Sequence, residues 1–238
     1  MSGLLASVRS VDEAMTARDG GADIIDCKDP DHGALGALPV DVITDIVSAV
    51  AGTRPTSATT GDAVNGPRQL HDAVCRTAAC GVDYVKFGVF DIEAVRAQYE
   101  VLRRLGTEHR LIAVCFVDLF DPTPLLPALA ATGIQGIMLD TAHKRGPALT
   151  ALWRSHQIAD FIDIVQRHGL LCGLAGRLGL ADIAHLLPLG ADYLGFRSAL
   201  CGGDRRTQID HSALARVCCA MHETPPRTSP QRLAVSAP

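Results

Sequence analysis

The sequence predicts an α/β chain folded as a single-domain (β/α)8 TIM barrel, and three observations carry that prediction. Short apolar runs alternate with amphipathic stretches over about 220 residues, which makes eight strand–helix units. A segment also recurs: Gly21-Ala-Asp-Ile-Ile-Asp26-Cys-Lys28 can be laid over Gly81-Val-Asp-Tyr-Val-Lys86-Phe-Gly88 and over Gly190-Ala-Asp-Tyr-Leu-Gly195-Phe-Arg197. Gly133-Ile-Gln-Gly-Ile-Met138-Leu-Asp140 follows the same frame more loosely. Finally, no Gly-x-Gly-x-x-Gly occurs, so the rival doubly wound open sheet lacks its usual fingerprint.

Taken in order, the first unit is the run Leu4-Leu5-Ala6 within a strand at 3–7, then an amphipathic helix at 11–19. Ala22 to Cys27 forms the second strand (22–27), with a helix at 39–50. The third strand, 54–59, is the weakest, a small-residue stretch before the helical period of 67–80. Tyr84-Val85 anchors the fourth (83–88) and Leu111 to Val117 the fifth (110–117), with helices at 91–105 and 122–132. The last three strands are 134–140, 170–175 and 192–197, followed by helices at 149–168, 178–188 and 207–222. The barrel domain is therefore 1–222. The remainder, 223–238, is rich in Pro, Ser and Thr without apolar period and is expected to be a disordered tail.

Composition bounds the function. With 238 residues, 47% hydrophobic and 20% charged, the chain can bury one large core. A net charge of −4 without a basic stripe argues against nucleic acid as a partner. Uncharged stretches stop well short of a membrane span and no signal-peptide pattern opens the chain, so a cytoplasmic location and no membrane are expected. The eight cysteines include no Cys-x-x-Cys, and the nine histidines no ligand spacing. No metal and no organic cofactor are expected.

Nineteen arginines accompany only three lysines: Lys28, Lys86 and Lys144. In the repeat frame, Ile25 and Cys27 face the helices, so Asp26 and Lys28 face the lumen. Lys86 then shares the level of Asp26, while Asp140 and Arg197 share that of Lys28; Lys144 follows Asp140 by four residues and can fold over it. A lone lysine at a strand end is more often an ion-pair partner than a nucleophile. If about a tenth of positions are strand ends and their loops, placing all three lysines there by chance is on the order of one in a thousand. A lysine that arginine cannot replace points to a neutral amine attacking a carbonyl. Repulsion between Lys28 and Lys86, and burial, would lower the pKa of one of them. Asp26 and Asp140 could then serve as acid or base, and Lys144 as a second acid or phosphate contact. Spacing alone leaves open which lysine carries the carbon.

Phosphate binding is expected after strands seven and eight, where Gly176, Arg177, Gly195, Arg197, Gly202 and Gly203 lie near expected helix starts at Leu178 and Thr207. These glycines could equally just form tight turns. Ser57 and Thr59 could offer hydroxyls to substrate or cap a helix. Asp118 could do acid chemistry or simply hold a turn, and neither His32 nor His143 is expected as the principal base.

Ala22-Asp-Ile-Ile-Asp26-Cys-Lys28-Asp-Pro30, followed by Gly33-Ala-Leu-Gly36, resembles the second-strand signature of the (5-formylfuran-3-yl)methyl phosphate synthase family. Ser57-Ala-Thr-Thr-Gly61-Asp62, Asp83-Tyr-Val-Lys86-Phe-Gly88, Met138-Leu-Asp140-Thr-Ala-His-Lys144 and Gly202-Gly203-Asp204-Arg205 resemble its later blocks, so the likeness spans about residues 3–215. The resemblance implies condensation of two glyceraldehyde 3-phosphates to a furan aldehyde phosphate, a lyase reaction for methanofuran-type carriers. It implies Lys28 as the Schiff-base lysine and Lys86 as proton acceptor, supported by Asp26, Asp140 and Lys144. The stretch Cys115-Phe-Val-Asp118-Leu-Phe departs from the archaeal pattern, and Ser198-Ala-Leu-Cys-Gly202 is shorter than its counterpart. Both bear on phosphate placement and subunit contacts; homo-oligomer formation stays open. An arginine-rich, lysine-poor chain fits a high-GC bacterium, with a methylotroph as the expected context. The alternatives are another Schiff-base aldolase of sugar phosphates, or a non-catalytic barrel that binds phosphorylated metabolites.

Overall fold

In the computed structural model, which describes residues 2–62 and 66–223, eight parallel strands close into a barrel in chain order. They are β1 (Gly3–Val8), β2 (Ile24–Cys27), β3 (Thr56–Thr59), β4 (Tyr84–Val89), β5 (Leu111–Phe116), β6 (Gly136–Asp140), β7 (Leu171–Leu174) and β8 (Tyr193–Phe196). The helices are α1 (Val11–Asp19), α2 (Val40–Val50), α3 (Pro67–Ala78), α4 (Ile92–Glu108), α5 (Leu126–Ala130), α6 (Leu149–Leu152), α7 (Ser155–Arg167), α8 (Leu180–Leu186) and α9 (His211–Glu223). All eight expected strands are present, each within two residues of its expected ends.

The alternation of each strand divides the apolar residues into two cores. Ile25, Cys27, Val85, Phe87, Ile137, Leu139, Leu194 and Phe196 join the helices in the outer one. Leu5, Ile112, Val114, Phe116, Met138 and Tyr193 fill the lumen. Neighbouring parallel strands keep paired residues on one face, and the pairs Ser7↔Asp26, Asp26↔Ser57, Thr59↔Lys86 and Phe116↔Asp140 all point inward. The lumen is therefore apolar except for one polar layer near the C-terminal ends of the strands.

Three expected helices differ. The stretch 149–168 is two helices, because Trp153 and Arg154 are extended. Trp153 instead packs edge-on against Phe161 with ring centroids 5.9 Å apart, and Gln157 accepts from the Arg154 N–H at 3.0 Å to start α7. In 122–132 a 3-10 turn at Thr123–Leu125 precedes the short α5, as Pro124 and Pro127 lack the N–H that a continuous helix needs. The last helix begins at His211, not Thr207, and a 3-10 turn at Ser198–Cys201 follows β8. The expected tail lies, beyond Glu223, outside the described residues. No helix among the described residues is long and apolar enough to cross a membrane.

Candidate active site

Two lysine–carboxylate groups meet in the polar layer. Asp26 is fully buried at the end of β2. Register places a hydroxyl on either side of it: Ser7 donates to Oδ2 at 3.0 Å and Ser57 to Oδ1 at 2.7 Å. Lys86 Nζ, on β4, lies 3.0 Å from Oδ2. Burial lowers the Lys86 ammonium from its ordinary pKa; Asp26 opposes this and Lys28 adds to it. A buried ion pair is a poor device for stability, because desolvation consumes most of its attraction. A buried pair whose lysine is perturbed and lines a cavity is a functional-site candidate.

The second group has two ammonium ions on one carboxylate. Lys28 Nζ is 3.2 Å from Asp140 Oδ2, and Lys144 Nζ is 2.8 Å from Oδ1. Lys144 also donates to the carbonyl of Thr141, and the Thr141 N–H donates to Asp140 Oδ1 at 2.7 Å. Burial pushes the Asp140 carboxyl up, but Lys144, Lys28 and these hydrogen bonds outweigh it and hold it well below the usual carboxylate range. One positive charge of the trio stays uncompensated. Burial, with Lys28 repulsion, overcomes the attraction of Asp140 and pushes Lys144 down to about 8.

Lys28, Lys86, Asp140 and Lys144 line a cavity of about 60 Å³, together with Gly176, Arg177, Gly195 and Arg197. It continues past Lys144, Arg177, Leu178, Ser198 and Arg205 into an outer cleft of about 700 Å³. Gly195 keeps this part of the lumen open: a Cβ there would lie 2.8 Å from Met138 Cε and 3.3 Å from the Ala175 Cβ, so Met138 would have to move. Gly176 has φ 99° and Arg177 φ 57°, a left-handed pair that costs an L residue energy. Among the described residues the N–H groups of Gly176, Arg177 and Leu178 donate to no protein acceptor. Such a run of free amides on a left-handed bend is suited to an anion.

Other expected contacts prove to be spent within the protein. The N–H groups of Gly202 and Gly203 both donate to the Ser198 carbonyl, closing the 3-10 turn, so neither is left for phosphate, and no helix begins at Thr207 to support them. All five Arg197 N–H donors have protein acceptors: Arg205 O, Ser7 O, Thr207 O and both oxygens of Glu13. Ser57 supports Asp26, while the fully buried Thr59 donates to the Gly36 carbonyl at 2.8 Å and fixes the loop after β2. These residues shape the site and do not offer their hydroxyls or guanidinium to a ligand.

Asp118 acts on the loop carrying Lys144. It accepts from the N–H groups of Ala142 and His143 at 2.7 and 2.8 Å and from His143 Nδ1 at 2.8 Å. Burial raises its carboxyl, but those backbone hydrogen bonds outweigh this and lower it. Asp118→Ala should leave lysine chemistry possible but disorder this loop, reducing kcat/KM about tenfold, about 1.4 kcal/mol. Steady-state kinetics together with thermal unfolding check this, and unchanged kcat/KM in a folded variant would show that the loop needs no such anchor. Sequence reasoning left Ser7 and Arg205 out of the site. Ser7 was visible as an inward position on β1, whereas nothing periodic in Gly202-Gly-Asp-Arg-Arg206 tells which arginine turns inward.

With that geometry in place, the comparisons are specific. A family model described as 4-HFC-P synthase matches residues 4–218. A protein of Methylorubrum extorquens, provisionally named a (5-formylfuran-3-yl)methyl phosphate synthase, is 43% identical over 93% of this chain and 92% of its own. The Methanosarcina acetivorans protein of that name is 36% identical over 87% and 93%, and the Methanopyrus kandleri one 36% over 90% and 95%. Among solved structures, phosphoribosyl anthranilate isomerase from Thermococcus kodakaraensis superposes with a TM-score of 0.67 at 14% identity, covering 94% of this chain and all of that one. The 3-hexulose-6-phosphate synthase of Salmonella typhimurium gives 0.63 at 16% identity, covering 92% and 100%. At such identities these two establish the barrel alone. The family model and the relatives span the lumen lysines and the loop of Lys144, and the chain belongs to the 4-HFC-P synthase family of enzymes.

Proposed function

We propose that this chain condenses two glyceraldehyde 3-phosphates through a lysine imine, giving (5-formylfuran-3-yl)methyl phosphate. The atom balance requires loss of one phosphate and two waters, which makes the enzyme a carbon–oxygen lyase. One observation carries the reading: Lys28 and Lys86 enter the same buried cavity, each on its own carboxylate.

Lys28, the more accessible of the two, attacks the aldehyde carbon of the first triose. It must do so as the neutral amine, and Lys144 keeps a positive charge on Asp140 when Lys28 gives its proton up. The carbonyl oxygen leaves as water. Lys86, whose amine burial favours in the neutral form, takes the carbon-bound proton beside the imine. The enamine so formed expels the phosphate on its neighbouring carbon. The terminal carbon of the resulting enol adds to the carbonyl of the second triose, once that triose has isomerised to the ketone. Asp26, fixed by two serines, holds the proton that Lys86 acquires. Ring closure through the terminal hydroxyl of the second triose, loss of two waters and hydrolysis of the imine then end in an aromatic furan aldehyde. The free amides at Gly176–Leu178 suit a phosphate at the cavity mouth, and the names of the relatives support the furan product; a role in making a methanofuran-type carrier follows from the family resemblance. A cytoplasmic site of action agrees with eight free cysteines.

Incubation with glyceraldehyde 3-phosphate, reading phosphate release and furan absorbance together, tests this directly. Equal appearance of both supports the proposal. Reversible carbon–carbon cleavage without phosphate release would make the enzyme an aldolase instead. A pH profile examines Lys144: as a proton donor it loses its charge as pH rises through about 8, so the rate should fall there. Lys144→Arg, which keeps its proton, should be slower but lack that alkaline fall. An alkaline limb unchanged in the variant would assign it to another group.

A further inference from the structure

We propose that Arg205 is the side-chain anchor for the phosphate of a phosphorylated aldehyde, presented to the cavity by a Glu13–Arg197 clasp; this rests on the proposed function of the site. Arg205 is half-buried, and lines both the inner cavity and the outer cleft. Among the described residues its guanidinium makes no hydrogen bond or ion pair. Ordering a long cation and partly desolvating it both cost free energy, and no protein group here offsets that cost. The carboxylate that acts on it most strongly, Asp140, is already shared by Lys28 and Lys144. A planar fork of donors without a partner, beside three free backbone amides, matches two oxygens of a phosphate.

The other cations around the cleft lack this placement. Arg206 turns outward onto Asp204 at 3.4 Å, and Arg145 and Arg177 are exposed. The support beneath Arg205 is equally particular. Arg197 grips Glu13 with both terminal nitrogens, at 2.5 and 3.1 Å. Its remaining donors hold the carbonyls of Arg205 at 2.7 Å, Thr207 at 2.8 Å and Ser7 at 3.0 Å. Glu13 is in turn fixed on α1, accepting from the Arg9 N–H at 2.9 Å. The clasp thus ties the backbone on either side of Arg206 to β1 and α1. Glu13 and Arg197 are positioning residues: they set where the 202–207 loop lies and need not touch the ligand.

Calorimetric titration of the full chain with inorganic phosphate tests the anchor without depending on turnover. Arg205→Gln should raise the phosphate Kd at least tenfold, and Arg205→Lys should recover part of the loss. Glu13→Gln should raise Kd severalfold although it meets no anion, and Arg145→Gln should stay within twofold of the parent chain. If Glu13→Gln fails to fold, Arg197→Lys, which keeps the charge but lacks the five-donor fork, reads the same clasp. In kinetics with glyceraldehyde 3-phosphate, Arg205→Gln should raise KM far more than it lowers kcat. A phosphate Kd unchanged in Arg205→Gln would overturn the proposal, and so would an equal loss in Arg145→Gln, which would signify a diffuse field. A parent chain that makes the furan product yet binds no phosphate at millimolar concentrations would also overturn it, leaving the proposed reaction intact. Phosphate binding through Arg205 without any furan product would support the anchor and sink the reaction.

Discussion

Asp26→Asn should cost about 3–5 kcal/mol of stability near neutral pH, the expected loss when one partner of a buried ion pair is removed. The amide keeps the shape and can still meet Ser7 and Ser57, so packing alone predicts almost no change. What disappears is the charge facing Lys86, which is buried and 3.0 Å away. For a chain of this length the loss corresponds to a fall in Tm of roughly 10 °C. The pH dependence gives the deficit its signature. Without Asp26, burial and Lys28 both depress the Lys86 pKa, so between that value and about 10.4 the unfolded chain binds more protons than the folded one. Stability of Asp26→Asn should therefore improve as pH rises through that window, and it should gain on the parent chain only below the parent's own lowered Lys86 pKa. Adding Lys86→Met should restore most of the stability and none of the activity. A single variant as stable as the parent at pH 7 would mean that water reaches Lys86 and that the pair is not the desolvated unit described above.

Lys28→Arg should abolish turnover, by on the order of 10⁴-fold or more, as expected when the group that forms the covalent intermediate is lost. Arginine can keep the contact with Asp140, so the fold and the charge balance of the trio should survive. It cannot supply a neutral amine. Steady-state and single-turnover assays read the effect, and Tm within a few degrees of the parent would show that the loss is chemical. Retention of even a tenth of the activity would move the covalent role to Lys86 or Lys144, or remove it from the mechanism.

The fold was legible because strand alternation here is strict: apolar Ile25 and Cys27 flank Asp26 and precede Lys28, and the same frame recurs on β4, β6 and β8. That frame alone brought Lys28 to Asp140 across 112 positions of sequence and Lys86 to Asp26. The four-residue step from Asp140 likewise placed Lys144. Loops have no such period, and there the reading was poorer. Arg197 looked like a phosphate ligand because it sits at an inward position, but its partner Glu13 comes from α1, which no local pattern reveals. Gly202 and Gly203 looked like open amides because small residues permit an anion site and a closed turn equally. Arg205 was read only as the end of a family block, since adjacent arginines are indistinguishable until the Arg197 clasp sets the backbone between them. Trp153 interrupts a convincing helical period because its ring finds Phe161 from an extended backbone, a tertiary contact overriding local preference.

The most direct measurement is borohydride reduction of the chain mixed with glyceraldehyde 3-phosphate, followed by peptide mass mapping. Expected is one stable adduct on Lys28, absent in Lys28→Arg and still formed in Asp118→Ala. An adduct on Lys86 or Lys144 in place of Lys28 would contradict the assignment of the nucleophile. A folded protein that releases phosphate from glyceraldehyde 3-phosphate but traps no adduct on any of the three would contradict imine catalysis itself.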